Sequence, residues 1–342
     1  MRKILHSKNI LLHSVPSYKK YRMITATTYK RFLLICGMLC VLLTVFAEEI
    51  VIGSWNIQGN GHFEEQEIIQ FASYFVADKH IDILALQEVK LELLITENLY
   101  ATLLNNNFLE RLTKALPGGE WKFISSAEYA IRHDSGKYGH CKVGLDNAIV
   151  YRSDKVYVED LSANMQFNFK NFYKSNYKMN KNNTNILRFS SINSQFSDLN
   201  YFYLINTHLP AKSRKKGWLP WMQDIKILKS LYKSIDSNAP IVWCGDFNAE
   251  YDDPDLKNNF SDCLIGCCKP TTVGAVEYKN NYDHFILNSA AKSFIIQRPD
   301  RYTSDAADGR ISYGYKFTTI KYFFDHISDH VPIFMSIDIR NF

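Results

Sequence analysis

The sequence predicts an α/β fold, on three observations. Short apolar runs of strand length recur at residues 50–55 (IVIGSW), 81–86 (IDILAL), 201–207 (YFYLINT) and 241–244 (IVWC). They are nearly continuous instead of alternating, the pattern of strands covered on both faces. Between the first two, residues 64–79 set Ile68, Ala72, Phe75 and Val76 along one helical face, which completes a strand–helix–strand unit. Each run also closes on polar residues, and ligands bind where strand ends open into loops.

The stretch IVWCGDFNAE at 241–250 organises the rest. Gly245 stops the apolar run, and Asp246 and Asn248 follow two residues apart, a spacing that points both side chains the same way in extended chain. A carboxylate beside an amide that both donates and accepts can hold a water or a phosphate oxygen. Taken in order, the first strand ends at Asn56 and the loop QGNGH, and the second at Gln87 and Glu88. Residues 90–116 are expected to be helical, broken by P-G-G at 117–119, with strands at 121–125, 147–151 and 155–158. Residues 161–197 read as an insert: no acidic residue, and Lys170, Lys174, Lys178, Lys181 and Arg188 interleaved with Phe167, Phe169, Phe172, Tyr173 and Tyr177. That composition fits a solvated loop or a basic, aromatic surface for nucleic acid or lipid headgroups.

The strand at 201–207 ends at His208, and Lys212, Arg214, Lys215 and Lys216 follow closely. Residues 221–235 carry Trp221, Ile225, Leu228, Leu231 and Ile235 at helical spacing. Tyr282 and Asp283 open a short strand at 285–287, and Ser328, Asp329 and His330 precede a terminal strand at 331–337. With no internal repeat and no linker, a single domain over 48–342 is expected.

The formal charge of +5 misleads. Eight of the 40 Lys and Arg lie in residues 1–47, which hold no Asp or Glu, so the remainder carries 32 basic against 35 acidic residues. Any polyanion must then be gripped by a local patch. Lys30 and Arg31 precede a largely apolar stretch of sixteen residues at 32–47, too short for a comfortable span, with small Val45 and Ala47 at the −3 and −1 positions of a cleavage site. Residues 1–47 are therefore expected to be a signal peptide of a secreted protein, with translation starting at Met1 or Met23. An uncleaved membrane anchor is the alternative. Of the five remaining cysteines, Cys263, Cys267 and Cys268 suggest a small-loop disulfide and Cys244 is left over. No histidine lies at metal-ligand spacing from that cluster, which argues against zinc.

Hard oxygen ligands and imidazoles thus gather at strand ends: Asn56, Glu88, His208, Asp246 with Asn248, Asp283, and Asp329 with His330. Asn56, Glu88 and Asp329 suit Mg²⁺, or Mn²⁺ and Ca²⁺. Two histidines with carboxylate neighbours suit proton transfer at a phosphorus centre, and a metal to neutralise developing charge completes a phosphodiester hydrolase.

The ordered set W-N-I-Q-G (55–59), L-Q-E-V (86–89), I-N-T-H-L (205–209), G-D-F-N (245–248), Y-D-H (282–284) and S-D-H-V-P (328–332) resembles the endonuclease/exonuclease/phosphatase superfamily. The likeness is greatest to its deoxyribonuclease I-like members and cytolethal distending toxin active subunits. It implies a four-layered α/β sandwich, two mixed β-sheets packed face to face and flanked by helices. It also implies a metal held by Glu88 with Asn56 and Asp329, and a phosphate bound or a leaving oxygen protonated by His208. Asp246 and Asn248 would orient water and phosphate, and His330, supported by Asp283, would act as base or as partner of the phosphoryl oxygen. The pattern departs at 142–150, where no arginine precedes the strand. Asn147 fits the wider superfamily there, and Lys142, Arg132 or the cluster Lys212, Arg214, Lys215 and Lys216 would take over substrate phosphate. The expectation is a secreted metal-dependent endonuclease with DNA as substrate and no obligate protein partner. The alternatives are a phosphodiesterase or phosphatase acting on phospholipid at a membrane, and a non-catalytic binding protein on the same fold.

Overall fold

The computed structural model describes residues 48–58, 65–95, 101–103, 107–125, 141–161, 184–192, 200–212, 221–226, 229–230, 238–266, 269–274, 277–302, 310–313 and 316–341. Glu48–Phe342 forms one compact unit. In chain order its first elements are β1 (Glu49–Asn56), α1 (Glu65–Lys79), β2 (Ile83–Ile95), β3 (Ala101–Leu103), α2 (Asn107–Ala115), β4 (Trp121–Ser125), β5 (Cys141–Arg152) and β6 (Val156–Asp160). Then follow β7 (Asn185–Ser191), β8 (Tyr201–His208), β9 (Ile241–Asp246), α3 (Pro254–Asn259), β10 (Leu264–Gly266), β11 (Asp283–Leu287) and α4 (Ser289–Lys292). The chain closes with β12 (Ile295–Arg301), β13 (Arg310–Tyr313), β14 (Lys316–Thr319), α5 (Ile320–His326) and β15 (Ile333–Asp338).

Two mixed sheets result. One has the order β12-β15-β1-β2-β5-β4, with β3 paired to β2; the other has the order β10-β11-β9-β8-β7-β6. β1 and β2 are parallel, as are β8 and β9, and their other neighbours are antiparallel. Alternate residues of each strand build different layers. Ile50, Ile52, Ile83, Ala85, Met335 and Ile337 of the first sheet meet Leu204, Val242, Cys244, Phe285 and Leu287 of the second. On the first sheet's outer face Trp55, Leu84 and Leu86 pack with Ile68, Phe71, Phe75, Leu109, Leu112 and Phe323 of α1, α2 and α5. Ile205, Ile241, Trp243 and Ile286 of the second sheet do the same with Trp221, Ile225 and Leu256. This is the four-layered sandwich. Strands that bury both faces explain the nearly continuous apolar runs, and each fully buried Leu, Ile or Phe contributes about 1.5–3 kcal/mol.

Several expectations need correction. Residues 90–95 continue β2, residues 101–103 form β3, and among the described residues of the expected helix only Asn107–Ala115 is helical. Cross-strand pairing with β5 overrides the local helix-favouring Leu and Glu residues. The expected insert hides a strand: β7 places Ile186, Leu187 and Phe189 in the core between β6 and β8. Averaging composition over 161–197 masked its short apolar pattern; residues 162–183 lie outside the described residues, as does the expected signal segment. Residues 221–226 and 229–230 of the expected 221–235 helix are helical, and 231–237 lie outside the described residues. No helix among the described residues is long and apolar enough to cross a membrane.

The helical stretch 221–226 carries one costly group. Both carboxylate oxygens of Asp224 are buried without a hydrogen-bond partner, and burial pushes its pKa up from 3.8 to about 7. The unfolded chain ionises this group near pH 4 while the folded chain keeps it protonated. Its contribution is therefore most favourable below pH 4 and is lost as pH rises to about 7, a swing on the order of 4 kcal/mol. Asp224→Asn is expected to flatten the slope of stability against pH between 4 and 7. It should also raise stability at pH 7.5 by about 1–2 kcal/mol, the buried amide still lacking partners. Urea unfolding at a series of pH values checks this; an unaltered slope would refute it.

Candidate active site

The layer between the sheets turns polar at one end. Along β1 the inward residues run Ile50, Ile52, Ser54, Asn56; along β9, Val242, Cys244, Asp246; along β8, Phe202, Leu204, Asn206, His208; along β11, Leu287, Phe285, Asp283. The two-residue period of a strand thus carries each apolar row into a polar terminus on the same side. Register does the rest, because His208 and Asp283 pair with Asp246 from the two neighbouring strands.

Glu88 does not follow this rule. Strict alternation after Leu84 and Leu86 would bury it in the outer apolar layer. Instead the β2–β5 register shifts between Leu86 and Val89, so Gln87 and Glu88 together oppose one residue of β5, and Glu88 takes a left-handed φ of 55°. A bulge of this kind re-aims a side chain. Gln87 keeps the inward face of Ile83 and Ala85, donating from Nε2 to Asn206 Oδ1 at 2.7 Å, and Asn206 Nδ2 donates in turn to the Leu86 and Ala148 carbonyls. This amide bridge ties the sheets together directly beneath the site. The motif I-N-T-H-L contained Asn206, but its role was not read from the sequence, because an inward polar residue mid-strand has no partner until the second sheet is in place.

The side chains converge. Asn56 Nδ2 donates to Glu88 Oε1 and to Asp246 Oδ2, both at 3.1 Å. His208 Nε2 lies 3.4 Å from Glu88 Oε1 and 3.6 Å from Asp246 Oδ2. His330 Nε2 lies 3.7 Å from Asp246 Oδ2, and its Nδ1 is 2.7 Å from Asp283 Oδ2. Asp246 Oδ1 accepts from the Asn248 backbone N–H at 2.7 Å. Asn248 is bent away from extended geometry, with φ 49°, and its Nδ2 donates to the Leu209 carbonyl at 2.7 Å. The expectation that Asp246 and Asn248 point the same way is therefore corrected, because the chain turns between them. Gly245, at φ 136°, allows the approach to β8, since a Cβ there would meet Thr207 O at 1.8 Å.

The loop 328–330 is fastened to the end of β1. Ser328 Oγ donates to the Asn56 carbonyl, the Asp329 N–H to Gln58 Oε1, and Trp55 Nε1 to the His330 carbonyl. Burial pushes Asp246 up to about 6, with Asp283 adding to the rise and His330 and His208 opposing it. Burial also raises Asp329, reinforced by Glu88 and Asp283 against the pull of His330. For His330 burial works against the charged ring, but Asp283, Asp246 and Asp329 together hold its pKa well above 6.5.

Among the described residues no group of three His, Cys, Asp or Glu side chains forms a metal-holding cage. The donor set still fits a hard cation. Asp329 Oδ1 is buried without a hydrogen-bond partner, and Glu88 is near enough to raise the Asp329 pKa. Mg²⁺ is commonly held by only one or two carboxylates, the rest of its shell being water and substrate phosphate. Asn56 Oδ1 accepts from the Gln58 N–H at 2.9 Å, and its NH₂ donates to both Glu88 and Asp246.

The expected phosphate contacts fare differently. Asn147 is buried opposite the bulge, with Nδ2 3.4 Å from the Asn206 carbonyl. The Lys212 ammonium pairs with Asp253 and Asp255 and lies 4.4 Å from the Trp221 ring centroid. Asp253 is the N-cap of α3, so this lysine is held by a local acidic turn. Arg214, Lys215, Lys216 and Arg132 lie outside the described residues, as does the Lys142 side chain. Cys244 is free and buried as expected, but Cys263 is also free, against the expected small-loop disulfide, and Cys267 and Cys268 lie outside the described residues. Cys263 packs at the edge of the outer layer, where burial pushes its thiol up to about 12.

The sequence matches the profile of the Endonuclease/Exonuclease/phosphatase family over residues 53–305. The chain belongs to this family. Its members are hydrolases acting on phosphoester bonds. No curated protein sequence matches the chain. Solved structures share the family fold. A family protein from Bacteroides thetaiotaomicron is 16% identical, covering 84% of this chain and 94% of its own, with a TM-score of 0.52. TDP2 of D. rerio, complexed with a single-strand DNA product, is 15% identical over 84% of this chain and 98% of its own, TM-score 0.52. A mannosyl-6-phosphatase of Bacteroides thetaiotaomicron is 17% identical over 84% and 98%, TM-score 0.51.

Proposed function

We propose that the protein is a divalent-metal-dependent phosphodiester hydrolase acting on nucleic acid, with DNA as the first substrate to test. The observation that carries this is the meeting of His208, Asp246 and His330 at 3.6–3.7 Å beside Glu88. Glu88 and Asp329 would hold the cation, which when bound supplies charge neutralisation at the phosphoryl oxygens. Asp246, its Oδ2 lying between the two rings, accepts a hydrogen bond from the attacking water. His208 presents Nε2 from the end of β8, and His330 from the loop before β15, to the phosphate and the leaving oxygen. Asp283 accepts from His330 Nδ1, which fixes the ring and turns its Nε2 toward Asp246. Asn56 keeps Glu88 and Asp246 in place. TDP2, a family member holding a single-strand DNA product, supports nucleic acid as the class.

The second reading is a small phosphate ester, favoured by Lys212. Its pairing with Asp253 and Asp255 withdraws a basic contact that a long polyanion would use. The phospholipid alternative leans on the insert at 161–197, of which 162–183 and 193–197 lie outside the described residues. Export through the N-terminal segment belongs to the same proposal, and N-terminal sequencing of protein from the culture medium should begin at Glu48.

Hydrolysis should be measured with and without Mg²⁺ on supercoiled DNA, RNA, a sugar phosphate, sphingomyelin and phosphoinositides. Nicking of DNA that is abolished by chelation is expected. Turnover of the sugar phosphate alone would establish the second reading, and no turnover of any ester over several metals would remove both.

A further inference from the structure

Among the described residues four that are not glycine have a left-handed backbone: Gln58 at φ 50°, His80 at 53°, Glu88 at 55° and Asn248 at 49°. His80 directly follows α1, where left-handed residues commonly cap helices. The other three surround the site. Left-handed geometry is unfavourable for a residue such as Gln, and it persists only where the surroundings enforce it. At Gln58 two hydrogen bonds do so. Its N–H donates to Asn56 Oδ1 at 2.9 Å, and its Oε1 accepts from the Asp329 N–H at 3.1 Å.

Each bond reaches a different part of the site. The first engages the carboxamide oxygen of Asn56, so that its NH₂ faces Glu88 Oε1 and Asp246 Oδ2. The second grips the middle of the loop 328–330. Its flanks are held separately, Ser328 Oγ by the Asn56 carbonyl and the His330 carbonyl by Trp55 Nε1. The Asp329 carbonyl is held as well, accepting from the Val273 N–H at 2.6 Å, so releasing the Asp329 amide loosens the Ser328–Asp329 side of the turn without unfastening the loop. Asp329 Oδ1 is buried without a hydrogen-bond partner, and His330 Nε2 lies 3.7 Å from it and 3.7 Å from Asp246 Oδ2.

We propose that Gln58 is a positioning residue: one side chain, held in a disfavoured backbone conformation, fixes both the Asn56 carboxamide and the Asp329–His330 turn. The inference rests on the hydrolase reading of the site. Stability alone gives no reason for it, since Gly or Asn would occupy this backbone conformation more readily.

The test uses Gln58→Gly and Gln58→Asn in the full chain. Both accept a left-handed φ, and neither reaches Asp329. The melting temperature is expected to stay level or rise, while hydrogen exchange at the Asp329 amide accelerates about tenfold. On the substrate that wild type hydrolyses, kcat should fall about tenfold with KM changed less than about threefold, the signature of an interaction used in the transition state. A purely structural role would lower the melting temperature and the folded fraction and leave kcat per folded molecule alone; that result overturns the proposal. So does unchanged exchange at Asp329 in both variants. If wild type hydrolyses no ester, the hydrolase reading falls, and the exchange measurement still decides whether Gln58 holds the turn.

Discussion

Replacing His330 with Ala is expected to lower turnover by about 10²–10⁴-fold, the range lost when a positioned proton-transfer group is removed. The ring is buried, its Nδ1 is committed to Asp283 at 2.7 Å, and its Nε2 is the end that faces Asp246. The same geometry makes a sharper statement about Asp283. Its Oδ2 serves the ring, so Asp283→Ala should act through His330 and the pair should behave as one unit. The double variant is then expected to be little slower than His330→Ala alone, as found for residues that act together. Single-turnover measurements at saturating substrate check this. Losses that multiply across the double variant would show that Asp283 works independently of the ring.

Gly245→Ala is expected to destabilise the fold by about 4 kcal/mol or more. Two costs add. The φ of 136° lies outside what an L side chain readily adopts, and the new Cβ would stand 1.8 Å from the Thr207 carbonyl oxygen. Thr207 and Gly245 are register partners on parallel β8 and β9, and each strand is hemmed in by a further neighbour, β7 or β11. Neither can retreat without breaking its ladder. Against a typical stability of about 5–15 kcal/mol, such a loss leaves a marginal fold. Urea denaturation measures it, and a loss under about 1 kcal/mol would mean that the strands yield where the packing says they cannot. Asp246 follows directly, so surviving folded protein should also turn over slowly.

Much of this architecture was legible beforehand, and the reason is periodicity. The runs at 50–55, 81–86, 201–207 and 241–244 were recognisable because strands buried on both faces have no polar residue to interrupt them until they end. Asn56, His208 and Asp246 then stood at those ends, and Asp283 at the start of a further strand, where a two-residue period assigns them to one face. What stayed hidden depended on pairing. The first part of the helix expected at 90–116 gave way to β2, which pairs with β5, and to β3, which pairs with β2, and β7 was lost inside a polar window.

The site divides in the same way. Residue types and their order along the chain determined which chemistry was available: hard oxygen donors and two imidazoles, close to the ends of apolar runs. Only the tertiary structure decided how they are aimed. The bulge that turns Glu88 inward, the bend that takes Asn248 out of line, and the acidic turn that engages Lys212 each come from a partner distant in sequence or from a backbone angle set by packing. Local sequence can specify a strand and its two faces. It cannot specify where register slips by one residue, because that is settled by the neighbouring strand.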